Sequence, residues 1–152
     1  MLTFDSVPVT DPVATELLTE YFTAREMGFV GGDYVVNFPV PERFVPPVGD
    51  FVVARENGIA VGCGGIRSLS PSRFEVKHLY LRPETRGRGW GKQLLAALES
   101  RAAAFGATEV VLDTNATLEA AGGLYRVSGY SSIEPYNDNP NATNWYWKAL
   151  AS

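Results

Sequence analysis

The chain is poor in the residues that most often carry chemistry, with one histidine, His78, and one cysteine, Cys63, in 152 residues. A lone thiol excludes an internal disulfide, and one of each residue excludes a His/Cys zinc cage. Triads of the Ser-His-Asp or Cys-His kind would rest wholly on His78, which stands inside the strand-like run RFEVKHLYL. No apolar run approaches the 18 or so residues that a bilayer span needs. The opening MLTFDSVPVTDP lacks the basic region and apolar stretch of a signal peptide, so a cytoplasmic protein with no membrane partner is expected. Cations are outnumbered, 13 against 17 acidic side chains for a net charge of −4, which disfavours nucleic acid as a partner. With 45% hydrophobic and 20% charged residues, disorder, collagen and coiled coil are excluded as well. Residues 1–152 are read as a single domain, since a chain of this length buries roughly 68–70% of its unfolded surface without needing a disulfide or a metal.

LTFDSVPV alternates as a short strand, and Asp11-Pro12 then opens a helix with Asp11 as N-cap and Pro12 at its first position. Val13, Leu17, Leu18, Tyr21 and Phe22 recur at helical spacing to about Met27, and Gly28 is the stop. Residues 29–50 carry four prolines with interleaved aromatics, which predicts an irregular wrap with at most a short helix, either a cover for the core or a substrate loop. Two strands flank Asn57-Gly58, the signal of a type I′ hairpin. After Ser70-Pro71-Ser72, RFEVKHLYL reads as a third strand of the run, with Phe74, Val76, His78 and Tyr80 on one face and Glu75, Lys77 and Leu79 on the other. QLLAALESRAAAF is a helix presenting Leu94, Leu98, Ala102 and Phe105, and ATEVVLDTN is a buried strand. A helix through ATLEAAGGLYRVSGY and two closing strands, YSSIEPY and TNWYWKAL, complete a mixed α/β order.

The segment Arg86-Gly87-Arg88-Gly89-Trp90-Gly91-Lys92 lies where a strand gives way to a helix. Exposed backbone N–H groups and the helix dipole there suit an anion, and Arg86, Arg88 and Lys92 add positive charge. The competing reading is a glycine turn that lets helix and strand approach. Two common phosphate motifs fail by position: GxxxxGK[ST] needs glycine at Arg86 and Ser or Thr at Gln93, and GxGxxG needs glycine at Lys92. Gly62-Cys63-Gly64-Gly65 lies inside a strand pattern and reads as a bulge or a site of close backbone packing.

Arg86-x-x-Gly89-x-Gly91 does fit [QR]xxGx[GA], and LYLRPETRGRGWGKQLLAALE, the charged strand before it and LYRVSGY follow in matching order. Over about residues 50–150 the sequence resembles the GNAT superfamily of acetyl-CoA-dependent N-acetyltransferases. The resemblance implies a mixed, mostly antiparallel sheet of about seven strands flanked by about four helices. It also implies a splay between the strands Arg73–Leu81 and Thr108–Asp113 that takes the pantetheine arm. Backbone groups around Leu79, Tyr80 and Leu81 would pair with pantetheine, and the amides of Arg86, Gly87, Arg88, Gly89, Trp90, Gly91 and Lys92 would hold the pyrophosphate. Many relatives carry an asparagine seven residues before the tyrosine that corresponds to Tyr125; Leu118 stands there, and Asn115 is assigned its pantetheine contact.

Acetyl transfer to an amine needs the neutral amine, and an alkylamine is only about 0.1% neutral at pH 7.4. The resemblance implies Glu75 as the base, with burial raising its pKa toward the useful range; the alternative is a strand glutamate salt-bridged to Lys77. A strand N–H near Leu79–Leu81 would stabilise the tetrahedral oxyanion. Tyr125 matches the family's general acid for the departing thiolate, against the alternative of a core tyrosine. His78 is read as packed and facing away from Glu75, Cys63 as a small core residue, and Trp145-Tyr146-Trp147 as core and edge packing. The expected activity is direct transfer from acetyl-CoA to a primary amine of a small molecule or peptide, with no metal. A cation would suit the acidic balance, with Glu134, Asp138 and residues 136–141 at the entrance. Transfer of a longer acyl group and a non-catalytic acetyl-CoA sensor are the alternatives, and an exposed last strand would permit a homodimer.

Overall fold

The computed structural model describes residues 2–28, 36, 38–115 and 119–150, with the backbone alone for 26–28 and 119–122. Strand β1 (Leu2–Ser6) leads into helix α1 (Pro12–Gly28), and β2 (Gly49–Glu56), β3 (Ile59–Ser68) and β4 (Arg73–Leu81) follow as a meander. Helix α2 (Trp90–Ala104), strand β5 (Glu109–Thr114), helix α3 (Glu119–Val127) and strands β6 (Ser131–Ile133) and β7 (Asn144–Ala149) complete the order. The seven strands form one sheet in the order β1-β2-β3-β4-β5-β7-β6. Every pairing is antiparallel except that of β4 with β5. The described residues hold three α-helices; between α1 and β2 only the 3₁₀ turn Pro41–Phe44 is formed, and 29–35 and 37 lie outside them.

The local signals act as their chemistry requires. The Asp11 carboxylate accepts from the N–H groups of Val13 at 3.0 Å and Ala14 at 3.1 Å, the bonds that start α1. Asn57 and Gly58 both take positive φ, 52° and 82°, as a type I′ turn needs. Leu94, Leu95, Leu98 and Ala102 of α2 pack on Val52, Ile66, Phe74, Val76, Val110 and Leu112 from one face of the sheet. On the other face Ala14, Leu17, Leu18 and Phe22 of α1 cover Phe51, Val53, Cys63 and Tyr80. The sheet is therefore buried on both sides at its centre.

Two expectations are corrected. Gly65 pairs with Lys77 and Cys63 with Tyr80, so Gly64 alone stands opposite both His78 and Leu79. This bulge, with His78 at φ 58°, breaks the alternation of β4. Before it Phe74 and Val76 face α2; after it Leu79 and Leu81 do, while His78 and Tyr80 turn to the α1 face. His78 therefore shares a face with Glu75 instead of opposing it. The glycine run of β3 permits this close passage: a Cβ on Gly62 would lie 2.4 Å from the Tyr80 carbonyl oxygen, and one on Gly64 2.8 Å from Leu98 Cδ1. Second, the last strand is not an exposed edge, because β7 lies between β5 and β6 and the sheet ends on β1 and β6.

Leu98 is fully buried between α2 and the sheet. Leu98→Ala is expected to lower unfolding free energy by about 2–5 kcal/mol, and Asp11→Ala by about 1 kcal/mol, both read from urea midpoints at unchanged slope. Equal effects would contradict this division between core and cap.

Candidate active site

The parallel pairing of β4 with β5 lasts for only three register positions, Arg73↔Glu109, Phe74↔Val110 and Glu75↔Val111. Beyond them the strands part, while β4 stays paired to β3 as far as Leu81 and β5 to β7 as far as Thr114. A wedge opens with a peptide edge on each wall. Leu79, Tyr80 and Leu81 stand on the β4 wall, and Asn115 follows directly on β5, with its side-chain amide donating to the Asn141 carbonyl at 3.0 Å. Leu118 lies outside the described residues.

From the end of β4 the chain passes through the 3₁₀ turn Pro83–Thr85 to the start of α2. The turn is held by Arg82, whose guanidinium donates to Glu20 at 2.8 and 3.1 Å, to Glu16 at 3.1 Å and to the Ala60 carbonyl at 3.0 Å. The hydrogen bond from Arg82 holds the Glu20 carboxyl below its ordinary pKa, and Tyr80 adds a further donor at 3.1 Å. Gly87 and Gly89 adopt φ 84° and 76°, and open space surrounds both, so conformation and not crowding calls for glycine here. Gly89 is the N-cap of α2 and makes no side-chain cap hydrogen bond, which among the described residues leaves first-turn N–H groups for another acceptor. Exposed Arg86, Arg88 and Lys92 surround that end, with the Arg88 guanidinium 5.1 Å above the Trp90 ring. A Cβ on Gly91 would meet Leu124 at 3.3 Å and Leu81 at 3.5 Å, so α3 and the end of β4 close on the helix start.

On the α1 face the strands carry a layer of paired charges. Glu75 is 1% exposed. One of its oxygens accepts from Arg67 Nε at 2.8 Å and the other from the Tyr136 hydroxyl at 2.5 Å. Its partner is thus Arg67 and not Lys77, which instead reaches Asp113 at 3.4 Å across the wedge. Asn137 donates to Asp113 at 2.7 Å and accepts from Trp145 Nε1 at 2.9 Å, and Trp147 Nε1 donates to Glu109 at 2.6 Å. The two tryptophans are therefore hydrogen-bonded anchors of this layer, while Tyr146 between them is core. The signal for Arg67 in the sequence is hairpin symmetry, since a turn centred on Pro71 sets it opposite Glu75.

Tyr125 does not touch Glu75. It is buried from α3 against Tyr130 and Tyr146, with ring centroids 5.9 and 5.5 Å away, in the core on the α2 side. Burial pushes its phenol well above the usual tyrosine pKa, so it keeps its proton at neutral pH. Glu75 and Tyr125 are thus buried on opposite faces of the sheet. Cys63 is buried, its thiol raised by burial and pointed at the His78 carbonyl. His78 sits among Tyr21, Phe22 and Phe44 with centroids 5.5–6.0 Å away, and its buried Nδ1 finds no partner among the described residues. Among the described residues no group of three or more His, Cys, Asp or Glu could hold a metal, and no helix is long and apolar enough to cross a membrane.

The profile of the acetyltransferase (GNAT) family matches residues 14–130. An uncharacterized N-acetyltransferase of Schizosaccharomyces pombe is 39% identical over 100 residues, 64% of this chain and 61% of that protein. The N-alpha-acetyltransferase RimI of Mycobacterium tuberculosis is 30% identical over 136 residues, 87% of this chain and 84% of its own. The fold is also that of a GNAT family acetyltransferase from Elizabethkingia anophelis with acetyl-CoA bound, at TM-score 0.69 and 14% identity over 98% of each chain.

Burial, then the charges of Lys77, Arg67 and Arg25, lowers the His78 pKa to about 3 from an ordinary 6.5. Between those values the unfolded chain binds a proton that the folded one refuses, so stability is full above pH 6.5 and falls as pH drops toward 3. His78 is expected to contribute a slope of up to about 1.4 kcal/mol per pH unit in that window. His78→Asn, which tolerates positive φ, should flatten the curve of urea-derived stability against pH. An unchanged slope would contradict the assignment.

Proposed function

Because the chain belongs to the acetyltransferase (GNAT) family, we propose that it moves the acetyl group of acetyl-CoA directly to a primary amine of a small molecule or peptide within a ternary complex. The observation that carries this reading is the continuity of two binding elements, the wedge between β4 and β5 and the uncapped glycine-rich start of α2 at its end. Pantetheine is an extended chain with amide groups, which unpaired peptide edges can hydrogen-bond, and pyrophosphate is the anion that a helix N-terminus favours. Leu79, Tyr80, Leu81 and Asn115 take the first part; residues 86–92 take the second. The acetyl-CoA held by the Elizabethkingia structure of the same fold supports this choice of donor.

Glu75 is the base that receives the acceptor's proton, and Tyr125, protonated and buried, is the acid that protonates the leaving thiolate. The oxyanion forms beside the bulged stretch of β4, where a backbone N–H of Leu79–Leu81 stabilises it. The exposed carboxylates of Glu134 and Asp138 at the β6–β7 connection favour a cationic acceptor. Residues 1–152 act as a single acetyltransferase domain, and a lone buried thiol fits a cytoplasmic setting. A homodimer formed by strand addition would use β1 or β6, the two edges of the sheet.

Acetylation of three amines tests the reading: phenethylamine, spermidine, and a short peptide with a free N-terminus. At least one is expected to be an acceptor. Glu75→Gln and Tyr125→Phe should each lower kcat by about 10²-fold or more while acetyl-CoA affinity stays within about threefold. Wild-type turnover in both variants would undo the two roles. Tight acetyl-CoA binding with transfer to none of the amines would favour the sensor instead.

A further inference from the structure

We propose that Tyr136 is the group that touches the acceptor amine and relays its proton to Glu75, an inference that rests on Glu75 being the base. At 1% exposure Glu75 presents almost nothing to a ligand, and each of its oxygens is already occupied. Arg67 fixes one oxygen from the neighbouring strand. The other is covered by the Tyr136 hydroxyl at 2.5 Å, and the tyrosine, unlike the carboxylate, is partly exposed. An amine approaching this carboxylate from solvent therefore meets the phenol first.

The position of Tyr136 is built in. It lies in the connection from β6 to β7, where the Asn137 side chain accepts from the Asn139 N–H at 3.2 Å and that of Asn139 from the Asn141 N–H at 3.0 Å, two successive Asx turns. Asn137 is tied to Asp113 and Trp145, and Asn141 receives the Asn115 amide, so the connection is fastened at two points that follow the tyrosine, the nearer of them its immediate neighbour. Such fastening places the phenol over the carboxylate before any substrate arrives.

Charged groups acting on the phenol are Glu75 from β4, Arg67 from β3 and Asp113 from β5, the last itself paired with Lys77. Burial first, then the carboxylates of Glu75 and Asp113, raise its pKa, with Arg67 opposing, so the hydroxyl is protonated and donates to Glu75. In the relay the ammonium N–H bond breaks as its proton passes to the Tyr136 oxygen, and the phenol's own proton passes to Glu75. The freed nitrogen lone pair attacks the thioester carbonyl, and the C–S bond breaks as the tetrahedral intermediate collapses. Tyr125 protonates the departing thiolate, and the nitrogen's second proton passes to solvent, from which Tyr125 is reprotonated. After product leaves, the path runs in reverse and Glu75 discharges its proton through Tyr136 to water.

The test compares Tyr136→Phe, Glu75→Gln and the double variant on whichever of the three amines is acetylated fastest. The relay predicts a fall in kcat of at least about 30-fold for Tyr136→Phe, with acceptor KM and acetyl-CoA affinity within about threefold, and a double variant no worse than Glu75→Gln. Loss in Glu75→Gln with normal turnover in Tyr136→Phe overturns the relay and leaves Glu75 as base. Normal turnover in both overturns the base as well. Losses that multiply in the double variant show independent roles and also overturn the relay. Should Tyr136→Phe fold poorly, 3-fluorotyrosine at position 136 keeps the hydrogen bond and makes the phenol more acidic. The acid limb of kcat/KM is then expected to move to lower pH, and an unmoved profile contradicts the proposal.

Discussion

The parting of β4 from β5 after Glu75 and Val111 is the constraint on which the other features hang. Buried peptide groups need partners, and two strands that separate inside a sheet each give up a ladder on one side. The structure holds them there from outside, β4 by β3 and β5 by β7, so neither wall collapses onto the other. Arg82 clamps the end of β4 to Glu16 and Glu20 of α1, and Gly91 brings α3 against the start of α2. Unpaired edges kept apart in this way suit an extended, amide-bearing ligand, and the anion-favouring helix start sets its direction.

The bulge at His78 is the second determinant, because it divides β4 into two uses. Ahead of it, alternation gives Phe74 and Val76 to the α2 core and leaves Glu75 and Lys77 on the α1 face. The extra residue then turns His78 and Tyr80 to that same face and Leu79 to the core. Charged residues on a central strand are tolerated since each has a partner: Glu75 with Arg67 and Tyr136, Lys77 with Asp113. Breaking one of these buried pairs leaves an uncompensated charge, which costs more than the pair itself contributes.

Much of this was legible in the residues. Asp11-Pro12, Asn57-Gly58 and the spacing of Leu94, Leu98 and Ala102 acted through local geometry, and local geometry decided those elements. Gly62-Cys63-Gly64-Gly65 did mark close backbone passage, opposite the bulge. The bulge itself was not legible, because a strict period of two has no sign of where one residue is added. For the same reason strict alternation puts His78 on the wrong face. The order of the last strands was hidden too, since β7 inserting between β5 and β6 depends on pairing distant in sequence. Arg67 beside Glu75 follows from hairpin symmetry about Pro71, whereas Tyr136 over Glu75 depends on how a loop of asparagines folds back 61 residues later.

The most direct measurement is a thermal melt with acetyl-CoA, with ATP and NAD as controls and Gly89→Glu as the variant. A side chain at φ 76° strains the N-cap, and a carboxylate there repels pyrophosphate. At a hundredfold excess over Kd, binding contributes about 2.7 kcal/mol, which for a chain of this length raises the midpoint by roughly 5–10 °C. The account predicts that shift for acetyl-CoA alone and its loss in the variant. No shift, or an equal one with ATP or NAD, would contradict the wedge and helix start as an acetyl-CoA site.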